Sequence, residues 1–181
     1  YETKQTRSFI RVREIHFFEA HTAHADEQGA TEQIAEDAQM VQRLLHDLCF
    51  PAIVSKRPVW DTFPGAWYST AVDAVMPNGR TLQVATYHHY RDQWARAFDL
   101  SYEDASGQTR YCHQTTFGMS ERLLGAVVGM HGDDNGLIIP PSIAPIQVVI
   151  MPVAAHTDSN VMPRVSQLAE HLSESGIRVH L

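Results

Sequence analysis

The stretch WYSTAVDAVMPNGRTLQVATYHH, residues 67–89, contains the clearest structural signal in the chain. Two runs rich in β-branched and aromatic residues flank Pro77-Asn78-Gly79, and an Asn-Gly pair between such runs is the strongest short-range indication of a β-hairpin. The pattern predicts two neighbouring antiparallel strands. We therefore expect an antiparallel sheet to organise this part of the chain.

Another strand is predicted nearer the amino end, in REIHFFEAHTAHA, residues 13–25. Successive side chains of a strand point to opposite faces, so Phe17, Glu19 and His21 share one face. That face combines an aromatic ring, a carboxylate and an imidazole. It is expected to lie against either the core or a ligand pocket.

Helices and shorter elements are predicted around these strands. In residues 26–49, apolar side chains recur every three or four positions behind the capping residue Asp26, which predicts one long amphipathic helix. The other predicted elements of this half are a strand at 50–58, a loop at 60–66, a short helix at 91–100, a hairpin at 100–118 turning at Ser106-Gly107, and a buried helix at 120–132 capped by Ser120. Arg122, near the start of that apolar helix, needs an anionic partner.

A different pattern follows the proline-rich joint at residues 140–145. Residues 144–153 (APIQVVIMPV) form a continuous apolar run, which is typical of a strand buried on both faces. A helix at 161–176 and a strand at 177–181 are predicted next. This is a β-α-β unit, for which parallel strands are the simplest arrangement.

The sequence thus predicts an α+β fold in two parts. Residues 1–141 are expected to form an antiparallel β-sheet flanked by helices. Residues 142–181 are expected to begin a separate α/β domain that is cut off after its second strand.

Composition limits the possible functions. The chain has 181 residues, of which 44% are apolar and 19% charged, as expected of a globular protein with one sizeable core. No apolar run approaches the ~20 residues of a membrane-spanning helix, so no membrane partner is expected. Cys49 and Cys112 fit no metal-ligand spacing and are expected to be reduced intracellular thiols.

The first fourteen residues differ in charge from the chain as a whole. A formal net charge of −7 argues against general affinity for nucleic acid. In residues 1–14, however, Lys4, Arg7, Arg11 and Arg13 outnumber the two glutamates, so this segment is either a solvated loop or a local contact for a polyanion. The segment is too polar for a signal peptide, and its abrupt start predicts a fragment of a longer protein.

Five histidines lie on or beside the predicted strands: His16, His21, His24, His88 and His89. One interpretation is that they are partly exposed sheet residues. Another is a metal site, since His21 and His24 form an H-x-x-H pair. A strand places those two rings on opposite faces, and adjacent histidines also diverge, so no metal site is predicted.

Three segments together resemble a known family. Residues 1–25 resemble the second signature motif of class II aminoacyl-tRNA synthetases, specifically the prolyl-tRNA synthetases of the archaeal and eukaryotic type. Residues 63–89 resemble their central hairpin, and residues 118–153 resemble their third motif running into the anticodon-binding domain. The blocks have the expected order and separation, and the resemblance covers nearly the whole chain.

The resemblance implies an activity. The intact protein is expected to be a cytoplasmic homodimer that uses ATP and Mg²⁺ to join L-proline to tRNA(Pro) through a prolyl-adenylate. Residues 1–141 are then part of the catalytic core, without its first motif, and residues 142–181 are the start of the anticodon-binding domain. A rival interpretation is a synthetase-like protein that binds or regulates without catalysis.

Roles for individual residues follow from the resemblance. Arg122 and Arg11 are expected to be catalytic, Arg122 at the γ-phosphate and Arg11 as a clamp on the triphosphate, because the planar guanidinium grips phosphate in bidentate fashion. Glu2 is expected to accept a hydrogen bond from the adenine amino group. Gln83 and Thr86 match nucleotide-contacting positions.

The resemblance also implies a proline pocket. Its expected members are Phe17, Glu19, His21, Phe63 and His88. A secondary ammonium and a rigid apolar ring suit a carboxylate beside aromatic surfaces. The reaction needs no protein nucleophile, so no catalytic triad is expected.

The chain departs from the family pattern at several positions, of which three bear on the expected site. The family run is nearer GTSHHLGQNF, whereas residues 85–94 read ATYHHYRDQW, so Tyr87 and Arg91 replace small residues beside the expected pocket. Ile15 stands where the wider class has an adenine-stacking phenylalanine. Adenine is therefore expected to be held by apolar contact.

Overall fold

The chain divides into two compact units, Tyr1–Ile138 and Ile139–Leu181, and a computed structural model describes residues 4–153 and 155–181. The strands of the first unit are β1 (Phe17–His24), β2 (Ala52–Lys56), β3 (Tyr68–Val75), β4 (Thr81–Arg91), β5 (Ser101–Glu103), β6 (Thr109–Tyr111) and β7 (His113–Ser120). Its helices are α1 (Glu27–Asp47), α2 (Gln93–Ala97) and α3 (Arg122–His131). The division falls close to the predicted proline-rich joint.

Five strands form one sheet in the order β1-β7-β4-β3-β2, and all neighbours are antiparallel. The predicted hairpin is confirmed: β3 pairs with β4, and Gly79 takes a φ of +75° in the turn between them. Helices flank the sheet, which confirms the predicted α+β fold.

Helix α1 packs on one face of the sheet, against β4 and β7. It begins as predicted, because the Asp26 side chain accepts a hydrogen bond of 2.8 Å from the amide of Gly29. Its apolar stripe meets apolar side chains of the sheet, and these form the core. The core consists of Ile34, Val41, Leu45, Leu48, Phe50, Val72, Ala74, Val84, Ala85, Tyr87, Phe117, Ala126 and Val127.

The prediction of one hairpin over residues 100–118 is only half right. Strands β5 and β6 form a short hairpin of their own. Strand β7 instead lies inside the large sheet, where it pairs with β1 on one side and β4 on the other. Because β7 is hydrogen-bonded along both edges, long-range pairing rather than its local sequence decides its position.

Helix α3 differs from the prediction at its start and in its burial. Glu121, not Ser120, is the capping residue, although the Ser120 hydroxyl accepts a hydrogen bond of 3.3 Å from the amide of Arg122. Leu124 and Val128 are 53% and 45% exposed, so the helix buries one side only. The prediction of a buried helix is therefore wrong for its outer side.

Two irregularities of β4 change which side chains share a face. Val72 and Asp73 are consecutive residues of β3, and they pair with Ala85 and Gln83 of β4. Val84 between those two partners is therefore an extra residue in β4. An extra residue shifts the alternation by one position. A second irregularity lies where β4 meets β7, next to Arg91, which has a φ of +51°.

In the second unit, β8 (Val148–Val149) and β9 (Val179–His180) are parallel and are joined through α4 (Val161–Glu174). The predicted parallel β-α-β unit is confirmed. The predicted strand at 144–153 is wrong in its length and burial, since Val149 is 58% exposed. Prolines in that run lack an amide donor and shorten the strand.

Within residues 4–153 and 155–181, no helix combines the length and apolarity that crossing a bilayer requires.

Candidate active site

The face of the large sheet that α1 leaves open borders a cleft of about 520 Å³, which we call the main cleft. Strands β1, β4 and β7 and the loop between β2 and β3 line it. Six of the residues selected from the sequence are among its walls: Phe17, Glu19, Phe63, Gln83, Thr86 and His88. The fold therefore brings together residues that are up to 71 positions apart in sequence, from Phe17 to His88.

Gln83 and Thr86 reach the same cleft because of the irregularity in β4. In a regular strand, residues separated by an odd number of positions lie on opposite faces. Gln83 and Thr86 are three positions apart, so in a regular strand they would face opposite sides. The extra residue Val84 restores them to one face. The sequence alone contains no signal for this shift.

His88 is held in a defined orientation at the main cleft. The hydroxyl of Ser69 accepts a hydrogen bond of 3.0 Å from the Phe63 amide and lies 2.8 Å from His88 Nδ1. Burial lowers the pKa of His88, which favours the neutral imidazole. The Ser69 hydroxyl therefore connects the Phe63 amide to the His88 ring and fixes the plane of the imidazole. The Phe63 ring packs 4.8 Å from the imidazole.

His21 lies beside the main cleft and contacts its wall residues. Its Nε2 is 3.0 Å from Glu19 Oε2, and its Nδ1 is 3.4 Å from Thr116 Oγ1. The His21 and Glu19 side chains are 67% and 44% exposed. Glu19 thus remains accessible to a cation from the cleft.

Arg11 and Arg122 line a second cleft of about 320 Å³. Arg122 donates from Nε to the Ile10 carbonyl (3.1 Å) and from Nη1 to the Gln83 carbonyl (3.4 Å). No carboxylate forms an ion pair with Arg122 among the residues that the structure describes. Two backbone carbonyl groups therefore orient the Arg122 guanidinium, and its anionic partner is not a carboxylate of the described residues.

The loop that carries Arg11 lies against α3. Arg7 and Arg11 exchange two backbone hydrogen bonds of 2.8 and 2.9 Å, and Phe9 at the turn has a φ of +60°. A Cβ on Gly125 would approach Phe9 Cβ to 2.8 Å, so only glycine permits this contact without movement of the loop. Phe9 and Ile15 both line the second cleft. Phe9 thus supplies an aromatic ring that the sequence interpretation missed.

A smaller cleft of about 160 Å³ shares walls with both larger ones. Phe17 and Gln83 belong to it and to the main cleft, while Arg122 belongs to it and to the second cleft. A Cβ on Gly118 would lie 2.6 Å from the Phe17 ring, so glycine makes room for this ring. The two clefts therefore form neighbouring parts of one site.

Tyr87 and Arg91 lie away from this site, contrary to the expectation from the sequence. Tyr87 is 1% exposed and stacks on Phe117 at 5.3 Å in the core under α1. The Arg91 guanidinium lies 3.5 Å from the centre of the Trp67 ring and 2.9 Å from a Glu27 carboxylate oxygen. At these two departures from the family pattern, the side chains make packing and ion-pair contacts and do not line the main cleft.

Several wall residues were not identified from the sequence: Arg57, Trp60, Tyr90 and Thr116. Arg57 is fixed by an ion pair of 2.8 Å with Asp73. Thr116 on β7 is paired with His21 on β1 and with His88 on β4. The strand register would therefore have identified it, but the sequence does not give the register. Glu2, the expected adenine contact, lies outside the described residues.

The histidines do not converge on a metal. His21 and His24 have opposite parity on β1, and His24 Nε2 is hydrogen-bonded to Thr22 Oγ1 at 2.7 Å. Across residues 4–153 and 155–181, no group of three or more His, Cys, Asp or Glu side chains is arranged to hold a metal ion.

Known proteins are similar to this chain over most or all of its length. The family model for the tRNA synthetase class II core domain (G, H, P, S and T) matches residues 1–131. The chain is 53% identical over 183 residues to a proline-tRNA ligase of Thermococcus kodakarensis, and 53% identical to one of Pyrococcus abyssi. These alignments include 100% of this chain and 38% of each relative, so the chain spans well under half of their length.

A solved structure is also similar over almost the whole chain. It is Giardia lamblia prolyl-tRNA synthetase in complex with prolyl-adenylate, with a TM-score of 0.91 and 39% sequence identity. The match covers 98% of this chain and 38% of that protein.

Proposed function

This chain belongs to the tRNA synthetase class II core family (G, H, P, S and T), and from that premise we propose that the protein containing it joins L-proline to tRNA(Pro). The relatives above are proline-tRNA ligases, which supports proline as the amino acid. The observation that carries the proposal is the shared wall between a carboxylate-bearing aromatic cleft and an arginine-bearing cleft. Amino-acid activation requires these two kinds of cleft side by side.

In the main cleft, Glu19 meets the secondary ammonium of proline. Phe17 and Phe63 pack against the pyrrolidine ring, and the neutral His88 imidazole offers a hydrogen-bonding nitrogen. His21 contributes from the rim by its contact with Glu19. A carboxylate beside aromatic rings suits a ligand that has one cationic and one apolar part.

In the second cleft, Arg11 and Arg122 hold the triphosphate of ATP. A proline carboxylate oxygen attacks the α-phosphorus, and the bond from that phosphorus to the bridging oxygen of pyrophosphate breaks. The arginines stabilise the negative charge on the phosphate oxygens, and their positions reduce the need for reorganisation. Gln83 and Thr86 line the cleft where the adenylate forms.

The second step transfers the prolyl group. A hydroxyl at the 3′ end of tRNA(Pro) attacks the carbonyl carbon of prolyl-adenylate, and AMP leaves with the electron pair of the broken bond. No protein nucleophile takes part.

Mg²⁺ is compatible with the second cleft. Glu121 lines it, and its Oε2 atom is buried without a hydrogen-bond partner among the described residues. Mg²⁺ is commonly held by one or two carboxylates together with substrate phosphates, so Glu121 could supply the protein ligand. The ion would neutralise phosphate charge there.

The remaining expectations are part of the same proposal. The intact protein is a cytoplasmic homodimer, and residues 142–181 begin its anticodon-binding domain. The parallel β-α-β unit of that segment is consistent with an α/β domain.

Proline-dependent exchange between pyrophosphate and ATP tests the proposal in the full-length protein. We expect exchange with proline and little with alanine or glycine. Well-folded protein without exchange would overturn the proposal in favour of a non-catalytic synthetase-like protein. Substituted residues inside the cleft would favour that rival, but Tyr87 lies in the core and Arg91 pairs with Glu27, so neither departure from the family pattern supports it.

A further inference from the structure

Trp60 lies at the rim of the main cleft with its indole ring uncovered. It is one of the wall residues of that cleft, yet it is 86% exposed, so the ring lies at the opening and not in the interior. The other two tryptophans of the chain are packed, since Trp67 lies 5.2 Å from the Tyr68 ring and Trp94 lies 5.2 Å from the Tyr90 ring. Among the described residues, no aromatic ring or cation stacks on Trp60.

The turn that carries Trp60 is fixed to the large sheet. The Asp61 amide donates a hydrogen bond of 2.9 Å to the Pro58 carbonyl and closes the turn. Arg57 forms an ion pair of 2.8 Å with Asp73 on β3 and a second one of 3.6 Å with Asp61. A ring on such a turn has little conformational freedom left to lose when a ligand binds, which favours binding. The exposed indole is therefore held ready for a partner.

The position of Trp60 limits the substrate that it meets. It lines neither the second cleft, assigned to the triphosphate, nor the small cleft between the two larger ones. The adenine of ATP has apolar contacts with Ile15 and Phe9 in the second cleft, and the proline ring is assigned to Phe17 and Phe63. The substrate that remains is the 3′ end of tRNA, which must enter past the rim from solvent.

The chemistry of that substrate fits an exposed indole. Every tRNA ends in adenosine, and its terminal ribose carries the hydroxyl that attacks the prolyl-adenylate. The flat face of a base stacks on an aromatic side chain, and tryptophan offers the largest such surface. A base that stacks at the rim leaves its ribose free to reach into the cleft.

We propose that Trp60 is the platform on which the terminal adenine of tRNA(Pro) stacks, so that the attacking hydroxyl is directed into the main cleft. This inference rests on the proposed function, because tRNA(Pro) is there the substrate of the second step. The stack forms only when tRNA binds. Trp60 therefore contributes to transfer of the prolyl group and not to formation of the adenylate.

Two activities of the full-length protein separate these steps. In Trp60→Ala we expect kcat/KM for tRNA(Pro) in aminoacylation to fall about fivefold to thirtyfold, as for the loss of one stack between a base and an aromatic ring. Proline-dependent exchange between pyrophosphate and ATP needs no tRNA, so its rate and its KM for proline should stay within about twofold of wild type. Trp60→Phe keeps a flat ring and should recover most of the loss.

Val59→Ala is the matched control, because Val59 precedes Trp60 in the same turn, is 93% exposed and does not line the main cleft. It should change neither activity. Binding of tRNA(Pro) with 2-aminopurine in place of the terminal adenine supplies a readout that does not depend on catalysis. Stacking quenches the fluorescence of 2-aminopurine, so we expect strong quenching with the wild type and with Trp60→Phe, and much less with Trp60→Ala.

Three results would overturn the inference in an active wild-type enzyme. A rise in the KM for proline as large as the loss for tRNA would place the indole over the proline ring. Dissociation of Trp60→Ala into monomers on sedimentation would make the indole a contact between subunits. Unchanged aminoacylation with unchanged quenching would remove Trp60 from the path of tRNA.

Failure of the proposed function is a distinct result. If the wild type itself shows no proline-dependent exchange, that function fails, and the quenching of 2-aminopurine alone then decides whether Trp60 meets the end of tRNA.

Discussion

The two faces of the large sheet use the same strands for different purposes. On the face under α1, Tyr87 and Phe117 are each 1% exposed and stack on one another. On the cleft face, Phe17 and Phe63 are 54% and 42% exposed, although they are equally large and apolar. A folded chain leaves large aromatic side chains exposed in a cleft at a cost in stability, which is a sign of binding. Because side chains alternate between the two faces of a strand, neighbouring residues of one strand can pack in the core or line the cleft.

Adjacent histidines in β4 show the same contrast at close range. His88 faces the main cleft and is bonded to Ser69. His89 is completely buried, and its Nδ1 accepts a hydrogen bond of 3.1 Å from the Arg91 amide. Burial lowers the pKa of both histidines. Of these two neighbouring histidines, His88 therefore belongs to the candidate site and His89 to the protein interior.

The largest effect is expected from Phe117→Ala on the helix-covered face. Removing this fully buried ring leaves a cavity beside Tyr87 and should lower the free energy of unfolding by about 3–5 kcal/mol. Chemical denaturation of the full-length protein measures this change. Phe98→Ala is the control, since Phe98 is 66% exposed, and it should change stability by about 0.5 kcal/mol or less. Similar losses from both substitutions would contradict the division between the faces.

Arg122→Ala should mainly affect catalysis. We expect adenylate formation to fall by about two to three orders of magnitude, because one preorganised charge contact in the transition state is lost. The exchange rate measures this effect, and Arg122→Lys should recover only part of it, since lysine lacks the planar fork.

Arg110→Ala is the control for Arg122→Ala. Arg110 forms an ion pair with Asp104 in the β5–β6 hairpin, away from both clefts, and its loss should leave exchange unchanged. Wild-type exchange in Arg122→Ala would remove this arginine from the site.

Glu19→Gln should have a smaller and more selective effect. The substitution keeps the shape but removes the charge opposite the proline ammonium. Because the Glu19 side chain is 44% exposed, water screens that charge, and the KM for proline should rise about tenfold, or ~1.4 kcal/mol. The KM for ATP and the melting temperature should stay near wild-type values.

Glu32→Gln provides the matched control for Glu19→Gln, because Glu32 lies on α1 at the surface and bonds only to Gln28 among the described contacts. It should change neither Michaelis constant. A stable Glu19→Gln enzyme with an unchanged KM for proline would exclude Glu19 from the pocket.

The smallest effect concerns pH and the buried histidine. His89 has a pKa below its unfolded value of about 6.5, so the unfolded chain binds more protons. This contribution to stability is present above pH ~6.5 and is lost as the pH falls below it. The denaturation midpoint should therefore decrease when the pH is lowered from 7.5 to 5.5. The decrease should be smaller in His89→Gln than in the wild type. If His89→Gln kept the full wild-type dependence, burial of His89 would not be its source.

Local patterns predicted much of the fold. The hairpin around Asn78-Gly79 and helix α1 behind Asp26 both depend on turn chemistry and periodicity within a few residues. Strand β7 was not separated from the hairpin before it, because its place depends on partners far away in sequence. The resemblance selected six residues that share the main cleft, but their roles stay predictions.

The sequence by itself determined the type of each long element and the residue types of the site, since periodicity, caps and turn residues act over short distances. Only the tertiary structure decided which faces those residues occupy. The extra residue Val84 turned Gln83 towards the main cleft, and the pairing of β7 with β1 brought Thr116 to His21. Register and bulges follow from the packing of the whole sheet, so no local pattern specifies them.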